Sequence, residues 1–218
     1  MKMVVVGGNS RDIGKTSVMA GLIRALPQYQ WTAIKLTQYG HGLCSVDGEE
    51  CECAPSEHPF AVDEETDRAG RTDTSRFLAA GARRALWVRV RQGMLEGALP
   101  AFQSAIAKDE HVIVESNSIL RFYRPNVYLT VLDPIKKDFK ASAREFLAQA
   151  DACLILEPGL THCTWEGVSV DLLREKPCFS LERAGSLPPE IAAFVEQRLG
   201  AAQNGRARLP QGARGFHP

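Results

Sequence analysis

The stretch VVVGGNSRDIGKTSVMAG, residues 4–21, constrains the fold more than any other part of the chain. A run of β-branched residues runs into a glycine pair, a polar turn and then G-K-T-S, after which Val18, Leu22, Ile23 and Leu26 recur at helical spacing. Strand, glycine-rich turn and helix in that order form an anion cradle. Small residues let backbone N–H groups curve round a phosphate, and the positive end of the helix faces it. A lysine after the last glycine reaches the outer phosphates, and the next hydroxyl takes a Mg²⁺ position. The spacing G-x-x-x-x-G-K-[ST] requires glycine at position 9, where Asn9 stands. Counted from Gly8 the loop is G-x5-G-K-T, one residue longer. Candidate nucleotide-binding residues are Gly8, Asn9, Ser10, Arg11, Asp12, Ile13, Gly14, Lys15, Thr16 and Ser17.

The rest of the chain alternates strand-like and helix-like segments. Strands are expected at 2–7, 31–37, 85–90, 111–116, 126–133, 152–157 and 177–182. Helices are expected at 15–26, 74–84, 95–107, 141–150, 165–175 and 189–199. Such alternation implies right-handed crossovers and a mostly parallel central sheet with helices on both faces, a three-layer α/β arrangement. Ligands in such sheets gather at the carboxyl ends of the strands. Residues 1–200 are expected to form one nucleotide-binding domain, with 38–72 as an insertion after the second strand. The segment 201–218 has three arginines, no acidic residue and no period, and is expected to be a disordered tail.

The 26 basic residues balance the 26 acidic ones, which gives no sign of a nucleic-acid or membrane partner. No apolar run approaches the ~20 residues a membrane span needs, and a buried-strand pattern opens the sequence where a signal peptide would stand. A cytoplasmic location is therefore expected. Of six cysteines, three fall in HGLCSVDGEECECAPSEH, residues 41–58, beside two histidines. In a reducing compartment such a cluster suggests tetrahedral zinc ligands rather than disulfides. The expected set is Cys44, Cys51, Cys53 and His58, with His41 as the substitute. Cys153, Cys163 and Cys178 are read as packing residues, and Trp31, Trp87 and Trp165 as packing the sheet and helices.

The loop resembles the G-x-D-T-x-V-G-K-T loop of dethiobiotin synthetase and related enzymes, within the branch of P-loop proteins that includes the MinD and signal-recognition-particle ATPases and GTPases. Gly8, Gly14, Lys15 and Thr16 match it, and Ile13 matches its apolar residue. Ser10, Arg11 and Asp12 depart from it. Three further segments resemble the molybdopterin-guanine dinucleotide biosynthesis protein B family: IKLTQYGHG (34–42), DTSRFLAAGA (73–82) and HVIVESNS (111–118). The family's glycine after the glutamate is Ser116 here, and no N-K-x-D guanine motif occurs, so ATP and GTP both stay open as ligands.

These resemblances imply a Mg²⁺-dependent NTP-binding protein with slow hydrolysis, serving cofactor biosynthesis with a partner protein of that pathway, and a homodimer by analogy. Lys15, Thr16, Asp12 and Glu115 are the expected catalytic residues, with Thr16 and Glu115 as the Mg²⁺ ligands. Lys35 is either an edge lysine or a site residue. Asp73 and Thr74 are candidates for a helix cap, and Arg76 faces either solvent or a phosphate. Two alternatives remain: a nucleotide-gated metal-binding accessory protein or scaffold, and an ATP-dependent small-molecule ligase or kinase of the dethiobiotin synthetase type.

Overall fold

A computed structural model describes residues 1–40, 59–163, 165–183 and 185–201. Its first strand, β1 (Lys2–Gly8), alternates its side chains between two cores, as the period of a strand requires. Val4 and Val6 face one hydrophobic cluster. Met3 and Val5 face the other. A strand buried on both faces reads as a continuous apolar run, which is why KMVVVG shows no polar alternation.

The elements follow as α1 (Lys15–Ala25), β2 (Thr32–Tyr39), β3 (Phe60–Glu64), α2 (Asp73–Ala79), β4 (Arg84–Arg91), α3 (Leu95–Ile106) and β5 (His111–Glu115). Then come β6 (Val127–Leu132), α4 (Ala141–Phe146), β7 (Ala152–Leu156), α5 (Asp171–Arg174), β8 (Cys178–Leu181) and α6 (Pro189–Ala201). Eight strands form one sheet in the order β3-β4-β2-β5-β1-β6-β7-β8. All neighbouring pairs are parallel except β3 with β4. The α1 and α6 helices cover one face, with Trp31 buried beneath them. The α3 helix covers the other with Leu95, Phe102 and Ile106. A third cluster, built on Leu132, Phe139, Leu147 and Trp165, closes the β6–β7 side.

The sheet differs from expectation in places with clear causes. The insertion holds an edge strand, β3, which periodicity could not find in FAVDE. Its acids pair with the next strand, Asp63 with Arg89 at 2.7 Å and Glu64 with Arg84 at 2.9 Å. Charged pairs of this kind blunt a sheet edge against further pairing. The helix expected over 74–84 stops at Ala79, because Gly81 turns left-handed at φ 106° and the Ala82 amide bonds back to Phe77. The helix expected over 141–150 breaks at Phe146 into a 3-10 turn, and that over 165–175 shrinks to Asp171–Arg174. Trp87 is half-buried rather than packed in a core, its indole N–H donating to Thr37 Oγ1 at 2.8 Å under the Arg89 guanidinium. Cys153 is buried as expected, but Cys178 sits exposed on the edge strand β8.

Candidate phosphate site

The two glycines that end β1 are required by close neighbours on either side. A Cβ at Gly7 would lie 2.1 Å from Asn117 Oδ1, and one at Gly8 would lie 2.8 Å from the Val131 carbonyl oxygen. The Gly8 N–H donates to Asn117 Oδ1 at 2.9 Å, and Asn117 Nδ2 donates to the Gly8 carbonyl at 2.9 Å. A single side-chain amide from the segment after β5 thus clamps the start of the loop.

On the other side Asn9 is fully buried. Its N–H donates to Val131 O at 3.1 Å, its Oδ1 accepts from the Asp133 N–H at 2.8 Å, and its Nδ2 donates to Asp133 O at 3.2 Å. The expectation that Asn9 touches a nucleotide therefore meets a plain geometric obstacle. Both its amide and its side chain are engaged in holding the loop to the end of β6. Asp133 is itself fully buried and takes a two-pronged ion pair from Arg183, 2.8 Å on each oxygen, which holds its carboxyl below the usual range. Beyond Asn9 the chain reverses through left-handed Asp12 (φ 53°) and Gly14 (φ 85°), and α1 begins at Lys15.

Residues Arg11 to Ser17 then line a cleft of about 990 Å³ at the carboxyl edge of the sheet, while Gly8, Asn9 and Ser10 lie behind it. The ends of β2, β4 and β5, the start of α2 and the segment before α4 complete the walls. Six cationic side chains (Arg11, Lys15, Lys35, Arg76, Arg121, Lys140) face four carboxylates there (Asp12, Asp73, Glu115, Asp138). The balance suits an anion carried with a cation.

At the floor, Thr16 Oγ1 donates to Glu115 Oε2 at 2.8 Å. The contact follows from the strand order. β1 and β5 are parallel neighbours, with Val6 in register with Glu115, so the loop after one meets the end of the other. Glu115 Oε1 lies 3.6 Å from Lys35 Nζ, and Lys35 also pairs closely with Asp73. Burial alone would lower the Lys35 pKa, but these two carboxylates outweigh it and raise the ammonium's pKa. Lys15 Nζ donates to the Ser10 carbonyl at 2.7 Å, and burial lowers its pKa. Arg76 donates to Ser17 Oγ at 3.0 Å and lies 3.7 Å from Asp73.

Asp73 and Thr74 do not cap α2. Thr72 does, accepting from the Ser75 N–H while the Ser75 hydroxyl accepts from the Thr72 N–H, a reciprocal capping box. Freed from that role, Asp73 points its carboxylate at Lys35. The segment DTSR thereby acts as one wall of the cleft.

Asn117, Asp138 and Lys140 escaped the sequence reading. Asn117 was legible in principle, two residues past Glu115 at the end of the most apolar strand. Asp138 and Lys140 lie in LDPIKKDFK, where no spacing marks them. The cysteine and histidine set, Cys44, Cys51, Cys53 and His58 with His41, lies outside the described residues. Among the described residues no group of three His, Cys, Asp or Glu side chains is placed to hold a metal. Among them, too, no helix is long and apolar enough to cross a membrane.

Sheet, flanking helices and loop together define an α/β P-loop NTPase fold. No family model matches the chain, and no curated protein does. Among solved structures it is similar to HypB from Helicobacter pylori in complex with nickel, at 14% identity over 96% of this chain and 91% of that one, TM-score 0.46. It is similar to LpxK from Aquifex aeolicus in complex with ATP, at 14% identity over 94% and 67%, TM-score 0.46. It is also similar to a MobB protein homologue from Bacillus stearothermophilus, at 15% identity over 94% and 97%, TM-score 0.35. Likeness at this level concerns the chain fold and assigns no ligand.

Proposed function

We propose that the chain binds a nucleoside triphosphate with Mg²⁺ in this cleft and hydrolyses it slowly. One observation carries the reading: the 2.8 Å contact of Thr16 with Glu115 beside a half-buried Lys15, at the end of a loop whose backbone turns left-handed at Gly14. Lys15 gives up the Ser10 carbonyl for the outer phosphates, a stronger charge-assisted partner. The amides of residues 11–16 follow the phosphate chain into α1. Thr16 and Glu115 present hard oxygen donors side by side, the chemistry Mg²⁺ prefers, and would hold it. Bound there, Mg²⁺ supplies charge neutralisation across the outer phosphates. Glu115 alternatively orients the attacking water, a role the raised ammonium of Lys35 supports by keeping a counter-charge at 3.6 Å. Asp12, exposed, lines the same cleft.

Service in cofactor biosynthesis and pairing into a homodimer belong to this reading through the sequence resemblances alone. Zinc at the cysteine and histidine set belongs to it through the clustering of those residues in the sequence, which makes one equivalent of zinc per chain the expected metal content. The test is binding of ATP, GTP and their diphosphates with Mg²⁺, followed by steady-state hydrolysis in wild type and Lys15→Ala. Stabilisation by a triphosphate that Lys15→Ala abolishes supports the reading. A wild type that binds no nucleotide refutes it. Binding with no turnover above the Lys15→Ala background leaves a nucleotide-gated scaffold instead.

A further inference from the structure

We propose that Lys140 is a phosphate-binding cation of this cleft, contributed by the segment between β6 and α4, and that with Arg11 and Lys15 it cradles the outer phosphates of a nucleoside triphosphate. The proposal rests on the reading of the loop given above and adds a residue from outside the loop.

The placement of Lys140 is fixed from two directions. Its N–H donates to the Asn9 carbonyl at 2.8 Å, and its own carbonyl accepts from the Ala143 and Arg144 N–H groups at 3.0 Å each. The root of the side chain is thus tied both to the phosphate loop and to the first turn of α4. From there the side chain enters the same cleft as Arg11 and Lys15. It is half-buried, and among the described residues no carboxylate or carbonyl takes its ammonium in a hydrogen bond or ion pair. The charged groups acting on it from the packed elements are Lys15 and Arg11 from the loop, Asp138 from its own segment and Glu115 from β5. Burial first, then the two cations, bring its pKa down to about 8 against the weaker pull of the two carboxylates.

An ordinary structural lysine snorkels its ammonium to water or pairs it. Among the described residues Lys140 has no such partner. It holds charge in a partly desolvated place already occupied by Lys15, and Asp138, the carboxylate on its own segment, accepts from Ser10 Oγ at 3.2 Å. Such an arrangement costs stability in the empty protein and is relieved by an incoming polyanion. A group carrying several adjacent negative charges, the end of a triphosphate, is the chemistry that engages neighbouring cations at once.

Calorimetric binding at pH 7 with Mg²⁺ tests this, using ATP, GTP and inorganic tripolyphosphate on wild type, Lys15→Ala, Lys140→Ala and Lys140→Arg. Lys140→Ala is expected to weaken each triphosphate by about tenfold or more while Lys140→Arg retains most of the affinity. The ligand-free Lys140→Ala protein is expected to melt no lower than wild type, since a half-buried charge crowded by Lys15 and Arg11 has been removed. Two results would overturn the proposal. One is wild-type affinity in Lys140→Ala alongside loss in Lys15→Ala, which leaves the loop reading standing. The other is weakened binding that arginine does not rescue, accompanied by a lower melting temperature. A wild type that binds none of the three probes overturns the loop reading and this proposal together.

Discussion

Replacing Asn9 by glycine would give the chain the common G-x-x-x-x-G-K-T spacing, and the structure says the change should be damaging. Asn9 is buried, and its φ does not lie in the left-handed region, so glycine's conformational freedom brings nothing there. The substitution removes the Asp133 N–H bond to Oδ1 (2.8 Å) and the Nδ2 bond to Asp133 O (3.2 Å). Asp133 O keeps the Trp165 indole N–H at 2.9 Å, but the Asp133 N–H loses its partner in a buried place. Two hydrogen bonds at about 1 kcal/mol each, with a stranded donor, amount to roughly 3 kcal/mol. Glycine's extra backbone entropy adds about 0.5–1 kcal/mol. For a domain of this size each kcal/mol moves the melting temperature by about 2–4 °C, so Asn9→Gly should melt about 7–16 °C below wild type. Differential scanning calorimetry of ligand-free protein measures it directly. Triphosphate affinity should fall as well, because the Lys140 N–H bond to the Asn9 carbonyl loses its fixed geometry. A variant melting within about 2 °C of wild type, with equal or better affinity, would show that the loop does not depend on this anchor.

Glu115→Gln should lower turnover by about a hundredfold or more while leaving triphosphate binding measurable, as separate binding and steady-state assays would show. The Asp133 carboxyl is held low chiefly by its bonds from Arg183, so its folded pKa lies below the unfolded one. That stabilisation is present above the usual carboxylate pKa and is lost as pH falls through the folded value. Wild type should therefore lose its advantage over Arg183→Ala in urea unfolding as pH drops below about 4. Thr72→Ala should cost about 1 kcal/mol through the lost capping box, read as a shift of about 2–4 °C. Cys51→Ser with Cys53→Ser should remove the expected zinc, read by metal analysis of protein purified without chelator.

Sequence legibility tracked how locally each feature is determined. The parallel strands could be read because each is an apolar run whose pattern follows from burial on both faces, and β1 and β5 are the plainest cases. Edge strand β3 could not, since FAVDE owes its state to Arg84 and Arg89 on β4 rather than to its own pattern. At the site, Lys15, Thr16 and Glu115 were visible because loop spacing and a strand-end carboxylate are short-range signals. Lys140 was not, because its relation to the loop spans over a hundred residues and exists only once β6 lies beside β1. The role of Asn9 was hidden for the same reason. Its partner Asp133 lies 124 positions away.

The loop is fastened on both flanks, by Asn117 at Gly8 and by Asp133 and Lys140 at Asn9. Such a loop has little disorder left to lose when a ligand arrives. Association should then cost little conformational entropy, and the empty and loaded loops should superpose. In solution the Gly8 and Asn9 amide protons, both donated inside the fold, should exchange at rates set by opening of the central sheet even without nucleotide. The receptor is cast before its guest, so any response to the guest has to be carried by the walls around the loop rather than by the loop itself.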